Sequence, residues 1–217
     1  VCDRVSTEDV SRAHVAGLCS TTECWDERLL VGLQERLDRI EHDTLLVLHM
    51  KGSHGPAYAQ RYPPRFGVFQ PVCSSSSLDS CSQQSIVNAY DNTLRYTDHV
   101  LDRTIDLLQA NADRFEVGMV YVSDHGESLG ERGIYLHGLP YPIAPAEQKR
   151  IPLLVWLGDP RAWHLEPSCI GDQKSKPYSH DNLFHSVLGL MEVSTTAYRQ
   201  ERDMLAACRS LQTAMHR

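Results

Sequence analysis

Apolar side chains at Leu29, Leu30, Leu33, Leu37 and Ile40 recur at helical spacing and predict a helix over 25–41. DTLLVLHM, residues 43–50, is instead continuously apolar and predicts a short strand buried on both faces. A stretch rich in Gly, Pro, Tyr and Ser follows from Lys51 to about Ser80, long for an unstructured loop, which makes it functional or stapled. Ile86, Tyr90, Leu94, Thr97, Leu101, Ile105 and Leu108 mark the inner stripe of a long helix over about 82–112. Ser82 followed by Ser85 offers it a partial N-cap. VGMVYVS (117–123) and IPLLVWL (151–157) read as two further buried strands, with helices at about 180–192 and 197–211. Strands alternating with helices predict an α/β fold with helices on both faces of a central sheet.

Composition narrows this picture. The 217 residues, 41% hydrophobic and 23% charged, are enough for one domain with a sizeable core and do not suggest disorder. Lys and Arg number 21 against 28 Asp and Glu, and the net charge of −7 argues against a nucleic-acid partner. No apolar run approaches the roughly 18 residues of a membrane helix, and no secretory signal opens the chain. The first residue is Val1 rather than Met, so the chain is expected to be cut from a longer one, and the missing anchor says little about location. Seven cysteines include two short polar loops, CSTTEC (19–24) and CSSSSLDSC (73–81), which suit an oxidising compartment. Free thiols of a cytosolic protein are the alternative. Cys169 and Cys208 lie near the C-terminus, and the odd count fits a Cys2 whose partner lies upstream. No CxxC spacing supports a zinc ribbon.

Candidate chemistry gathers where predicted strands finish, the place where open α/β sheets collect ligands. HMKGSHGPAY carries His49 and His54, and SDHGE carries Asp124, His125 and Glu127. Carboxylate and neutral imidazole are good ligands for zinc. Adjacent side chains in a strand point to opposite faces, so a shared ion requires a turn at Asp124–His125, which Gly126 permits. Asp-His-Gly alone equally describes an ordinary strand exit with a capping Asp. The spacing strengthens the metal reading: Glu127 and then His137 follow, with Gly130, Gly133 and Gly138 letting the loop fold back. His54 taken alone reads as a loop histidine, and His14, His42, His99, His164, His180, His185 and His216 read as ordinary ones.

SDHGESLGERGIYLHGLPY resembles the metal-binding loop of the phosphoethanolamine transferases of Gram-negative bacteria, members of the alkaline phosphatase and sulfatase superfamily that include the mobilised colistin-resistance enzymes. LHMKGSHGPAYAQRYPPRF is similar to that family's histidine-bearing substrate loop and NAYDNTLRYTDHVLD to its long helix. APAEQKRIPLLVWL and YSHDNLFHSVLGL match further segments in the same order. The resemblance implies an alkaline phosphatase-like sandwich, incomplete at its N-terminal side, forming the C-terminal portion of one periplasmic catalytic domain. The implied reaction transfers phosphoethanolamine from phosphatidylethanolamine to lipid A through a phosphothreonine, at the periplasmic face of the inner membrane, with polymyxin resistance as a family trait and a monomer expected. Asp124 and His125 would ligate zinc, and His54, Glu127 and His137 would hold the transferred group or a second zinc. By the same resemblance Cys73–Cys81 matches a family disulfide, and Cys19 with Cys24 sits in a similarly cysteine-bearing stretch.

The chain departs from the family in one large respect. The nucleophilic threonine, a glutamate ligand and the membrane helices precede the segment that Val1 onward resembles. Thr7, Thr21 and Thr22 do not lie in the nucleophile's motif. The isolated chain is therefore expected to bind zinc weakly, to leave an apolar sheet edge and to catalyse no transfer. A sulfatase or phosphonate hydrolase of the same superfamily is the rival enzyme, and a non-catalytic metal-binding fragment the rival of another class.

Overall fold

A computed structural model describes residues 4–11 and 14–209, so Cys2 and the end of the helix expected over 197–211 lie outside the described residues. The chain divides into two compact units, Val1–Leu107 with His125–Pro152, and Leu108–Asp124 with Leu153–Arg217.

In the first unit the helix expected over 25–41 is broken. Asp26–Leu30 forms a 3₁₀ turn and α1 spans only Leu33–Leu37, because Gly32 between them holds a left-handed backbone (φ 78°). The run 43–50 is a second correction. It forms no regular strand, and Leu45, Leu46 and Val47 are exposed. An apolar run becomes a strand only when a neighbour takes its backbone hydrogen bonds, and no described strand pairs with it. The long loop that follows is organised by 3₁₀ turns at Tyr58–Gln60, Pro64–Phe66 and Leu78–Ser80 and by the Cys73–Cys81 disulfide. Cys19 and Cys24 are also bonded.

The long helix is present as α2, Gln83–Gln109, capped by the Ser82 hydroxyl, which accepts the Ser85 N–H at 3.2 Å. Its buried face is rotated from the expected stripe. Ile86, Ala89, Tyr96 and Val100 are buried with Asn88, Asn92, Thr93, Thr97 and Thr104, while Leu94 is exposed. The polar residues are admitted because they are satisfied. Asn92 Oδ1 accepts the N–H groups of Val68 (3.0 Å) and Phe69 (2.9 Å), and its amide donates to Phe69 O (3.0 Å) and Tyr62 Oη (3.2 Å). One apolar cluster joins Tyr58, Cys73, Leu78, Ile86, Ala89 and Leu129, and a second joins Tyr62, Tyr96 and Val100.

The second unit carries β1, Gly118–Val122, paired antiparallel with β4, Leu153–Leu157, in the register Gly118↔Leu157 to Val122↔Leu153. The short strands between them in sequence, β2 (Ser128–Leu129) and β3 (Tyr135–Leu136), make an antiparallel hairpin in the first unit, followed by the single-turn α3, Ala146–Lys149. The expected C-terminal helix over 180–192 is α5, His180–Leu190, opened by a capping box in which Ser179 N–H donates to Asn182 Oδ1 (2.9 Å) and Ser179 Oγ accepts from Asp181 N–H (3.3 Å). The helix α4, Pro167–Gln173, was not legible in the pattern. The helix expected over 197–211 is absent across its described residues, where only 3₁₀ turns form at Gln200–Arg202 and Ala206–Cys208. Asp203 diverts that backbone, accepting from Leu205 N–H (2.9 Å), the Tyr198 hydroxyl (2.8 Å) and Arg209 Nη2 (2.9 Å). Cys169 and Cys208, whose pairing the sequence leaves open, are bonded to each other beside Leu165 and Leu205.

Candidate metal centre

Three imidazoles from separate stretches meet in the first unit. One ring nitrogen from each of His54, His125 and His137 lies within 4.8 Å of the other two. The rings of His125 and His137 stack with centroids 3.6 Å apart, and His54 stands edge-on to both, at 6.1 and 5.2 Å. Each Nδ1 faces an oxygen: His54 the carbonyl of Gly55 (2.6 Å), His125 the carbonyl of Gly126 (2.9 Å), His137 the Glu127 carboxylate (2.9 Å). We assign the Nδ1–H tautomer to all three on these contacts, which makes Nε2 the candidate ligand atom of each ring.

The supporting groups are more buried than the ligand candidates. Glu127 has a side chain only 4% exposed, and its second oxygen accepts the Gly55 N–H at 3.2 Å. One carboxylate thus ties the loop of His54 to the loop of His137. The Tyr58 hydroxyl is buried without a partner in hydrogen-bond geometry, and burial, followed by the negative charge of Glu127, pushes its pKa up. A buried carboxylate holding a ligand imidazole by Nδ1 is the arrangement metal sites use to fix ring orientation.

The hairpin explains how SDHGESLGERGIYLHG places two histidines together. Gly130, Gly133 and Gly138 hold left-handed backbones and fold the loop back, as the spacing predicts. Gly126 serves a different end from the expected turn. Its N–H donates to Gln148 O (3.1 Å), and a Cβ there would collide with the Glu147 carbonyl, so glycine is needed for close approach. Gln148 then donates to Ser128 Oγ and Leu136 O, both at 3.0 Å, locking α3 across the hairpin.

Of the sequence candidates, His54, His125, His137 and Glu127 come together. Asp124 is exposed and belongs to the second unit. His49 is not in the cluster. The sequence reading missed the residues that hold the His54 loop. Asp26, whose pKa burial pushes up against the lowering effect of its hydrogen bonds, accepts the N–H groups of Lys51 and Gly52 at 2.8 Å each. Arg61 donates from Nε to His54 O at 2.9 Å. No local pattern signals partners 25 or more residues apart in sequence, such as Asp26 and Lys51.

Clustered histidines beside a buried carboxylate are a candidate metal site, and a sulfatase family signature matches residues 1–193; the chain belongs to that family. Among curated proteins it is 46% identical over 213 residues to the phosphoethanolamine transferase EptA of Salmonella typhimurium, covering 97% of this chain and 39% of that one. It is 45% identical over 152 residues to the phosphatidylethanolamine transferase Mcr-1 of Escherichia coli, covering 68% of this chain and 28% of that one. Among solved structures, the integral membrane lipooligosaccharide phosphoethanolamine transferase A of Neisseria meningitidis superposes with a TM-score of 0.91 at 41% identity, over 96% of this chain and 39% of that one. The expected α/β, alkaline phosphatase-like fold is borne out by that superposition. The 217 residues therefore span about two fifths of the curated relative's length, and no helix among the described residues is long and apolar enough to cross a membrane.

Proposed function

We propose that this chain is the C-terminal portion of the periplasmic catalytic domain of a zinc-dependent phosphoethanolamine transferase. The longer protein, which we take to supply the membrane helices and the threonine nucleophile, transfers phosphoethanolamine from phosphatidylethanolamine to lipid A through a phosphothreonine. The observation that carries the reading is the trio of histidines whose Nδ1 atoms are all engaged by oxygens, one of them the buried Glu127. Its similarity to the transferases EptA and Mcr-1 supports it.

Three neutral imidazoles are a donor set suited to zinc, and a spread within 4.8 Å is closed to zinc–nitrogen bonds of about 2.0–2.1 Å by a small rotation of the partly exposed rings. In this reading Asp124 and His125 hold zinc, and His54 and His137 hold the same ion, a second one or the phosphoryl oxygens. Bound zinc would neutralise charge on the phosphoryl group and lower the pKa of a hydroxyl. Glu127 keeps the His137 proton on Nδ1, so that the other nitrogen stays available as a ligand or acceptor. A covalent relay lets donor and acceptor lipids occupy the site in turn.

The test is made on the intact protein with its native upstream sequence, reconstituted with phosphatidylethanolamine fluorescently labelled on its acyl chain and with lipid A. Wild type releases labelled diacylglycerol, while His125→Ala loses zinc by elemental analysis and loses transfer. Hydrolysis of an aryl sulfate or phosphonate ester without transfer would assign the chain to the rival hydrolases. Unchanged zinc content and activity in His125→Ala would remove the site assignment.

A further inference from the structure

We propose that Arg61 and Glu23 form a clamp that sets the position of His54, making Arg61 a positioning residue of the metal centre. The inference rests on the reading of His54 as a ligand. His54 is exposed, lies in an irregular loop and has no helix or strand to fix it. Its loop is gripped from both sides instead. Upstream, Asp26 takes the N–H groups of Lys51 and Gly52, and the Thr93 hydroxyl donates to Ser53 Oγ at 2.6 Å. Downstream, only Arg61 reaches the His54 carbonyl among the described hydrogen bonds, by Nε at 2.9 Å.

The guanidinium is itself anchored. Arg61 Nη1 donates to both oxygens of Glu23, at 2.9 and 2.7 Å, and the two side chains are 16% and 13% exposed. Lys51 Nζ reaches the same carboxylate at 2.5 Å. Glu23 is immobilised in turn within the Cys19–Cys24 loop. Its carbonyl accepts from Ser20 N–H (2.7 Å) and Ser20 Oγ (3.0 Å), and its own N–H donates to Ser20 Oγ (3.0 Å). A planar fork can hold a carboxylate by one nitrogen and a carbonyl by another at once, whereas a lysine ammonium carries no such fixed geometry. The disulfide loop is thereby connected to the metal centre through two side chains.

The test uses the intact protein with Zn²⁺ and Co²⁺ alone as probes. Arg61→Gln, Arg61→Lys and Glu23→Gln are compared with wild type and with His54→Ala. Zinc affinity is read by chelator competition, the cobalt ligand field by visible absorption, and folding by thermal melting. Arg61→Gln is expected to weaken zinc binding by about 10–100-fold and to alter the cobalt spectrum, the scale typical of groups that orient a ligand. Arg61→Lys should recover only part of the loss, and Glu23→Gln should move both readouts in the same direction with an unchanged melting temperature. Should Arg61→Gln fail to fold, Glu23→Gln decides. Wild-type affinity and spectrum in the folded clamp variants, while His54→Ala changes both, would overturn the clamp. If His54→Ala also leaves both unchanged, the ligand reading itself fails and takes the clamp with it.

Discussion

Replacing Glu127 by Gln removes one charge and almost no volume, yet the structure makes the exchange severe. Glu127 receives two donors, His137 Nδ1 at 2.9 Å and Gly55 N–H at 3.2 Å, on different oxygens of a side chain that is 4% exposed. A glutamine has one acceptor oxygen for the two. With the oxygen toward His137, the amide NH₂ opposes the Gly55 N–H, and a buried backbone donor left unsatisfied costs about 1–3 kcal/mol. With the oxygen toward Gly55, His137 faces a donor and must move its proton to Nε2, where the ligating lone pair is lost. On the proposed zinc reading, either arrangement should weaken zinc binding by about 10–100-fold, or about 1.4–2.7 kcal/mol. Chelator competition on the intact protein measures this directly, with circular dichroism confirming the fold. A folded Glu127→Gln protein that binds zinc within twofold of wild type would refute the orienting role.

Asn92→Ala removes four hydrogen bonds made by a fully buried side chain and strands the N–H groups of Val68 and Phe69. Denaturant melts should show a loss of about 3–5 kcal/mol, and a loss below about 1 kcal/mol would mean water satisfies that loop. Tyr58, Tyr62 and Tyr96 are buried and have raised pKa values, chiefly by desolvation. The unfolded chain then releases these protons first as pH rises above about 10, so it binds fewer protons than the folded state and stability falls with rising pH. The slope should approach about 1.4 kcal/mol per tyrosine per pH unit across that window. Absorbance at alkaline pH should show these tyrosines ionising only with unfolding, and their early titration in the folded protein would contradict the burial argument.

The parts of the site that lay close in sequence were legible. Glu127 and His137 follow His125 at a spacing that glycines close into a hairpin, and His54 joined them only through family resemblance. What the chain builds from distant partners left no mark in the pattern. Arg61 and Glu23 are separated by 38 residues, and Cys169 and Cys208 by 39. The apolar run 43–50 carried strand propensity, but propensity supplies no hydrogen-bonding neighbour. For α2 the period showed the element while the inward face was misjudged, because apolar periodicity cannot see Asn and Thr side chains that are buried with their partners.

That inward face, part apolar and part polar, narrows what the helix tolerates. On an ordinary amphipathic helix the inward stripe is apolar and the polar side chains face water. On α2, Asn88 donates to Pro71 O, Asn92 grips residues 68 and 69, and Thr93 donates to Ser53, so each buried amide or hydroxyl specifies one loop. A leucine at any of these positions would be greasier and less stable, while Leu94 on the outer face can be exchanged for a polar residue at little expense. Sequence drift in this helix should therefore preserve Asn88, Asn92 and Thr93 while leaving Leu94 free to vary.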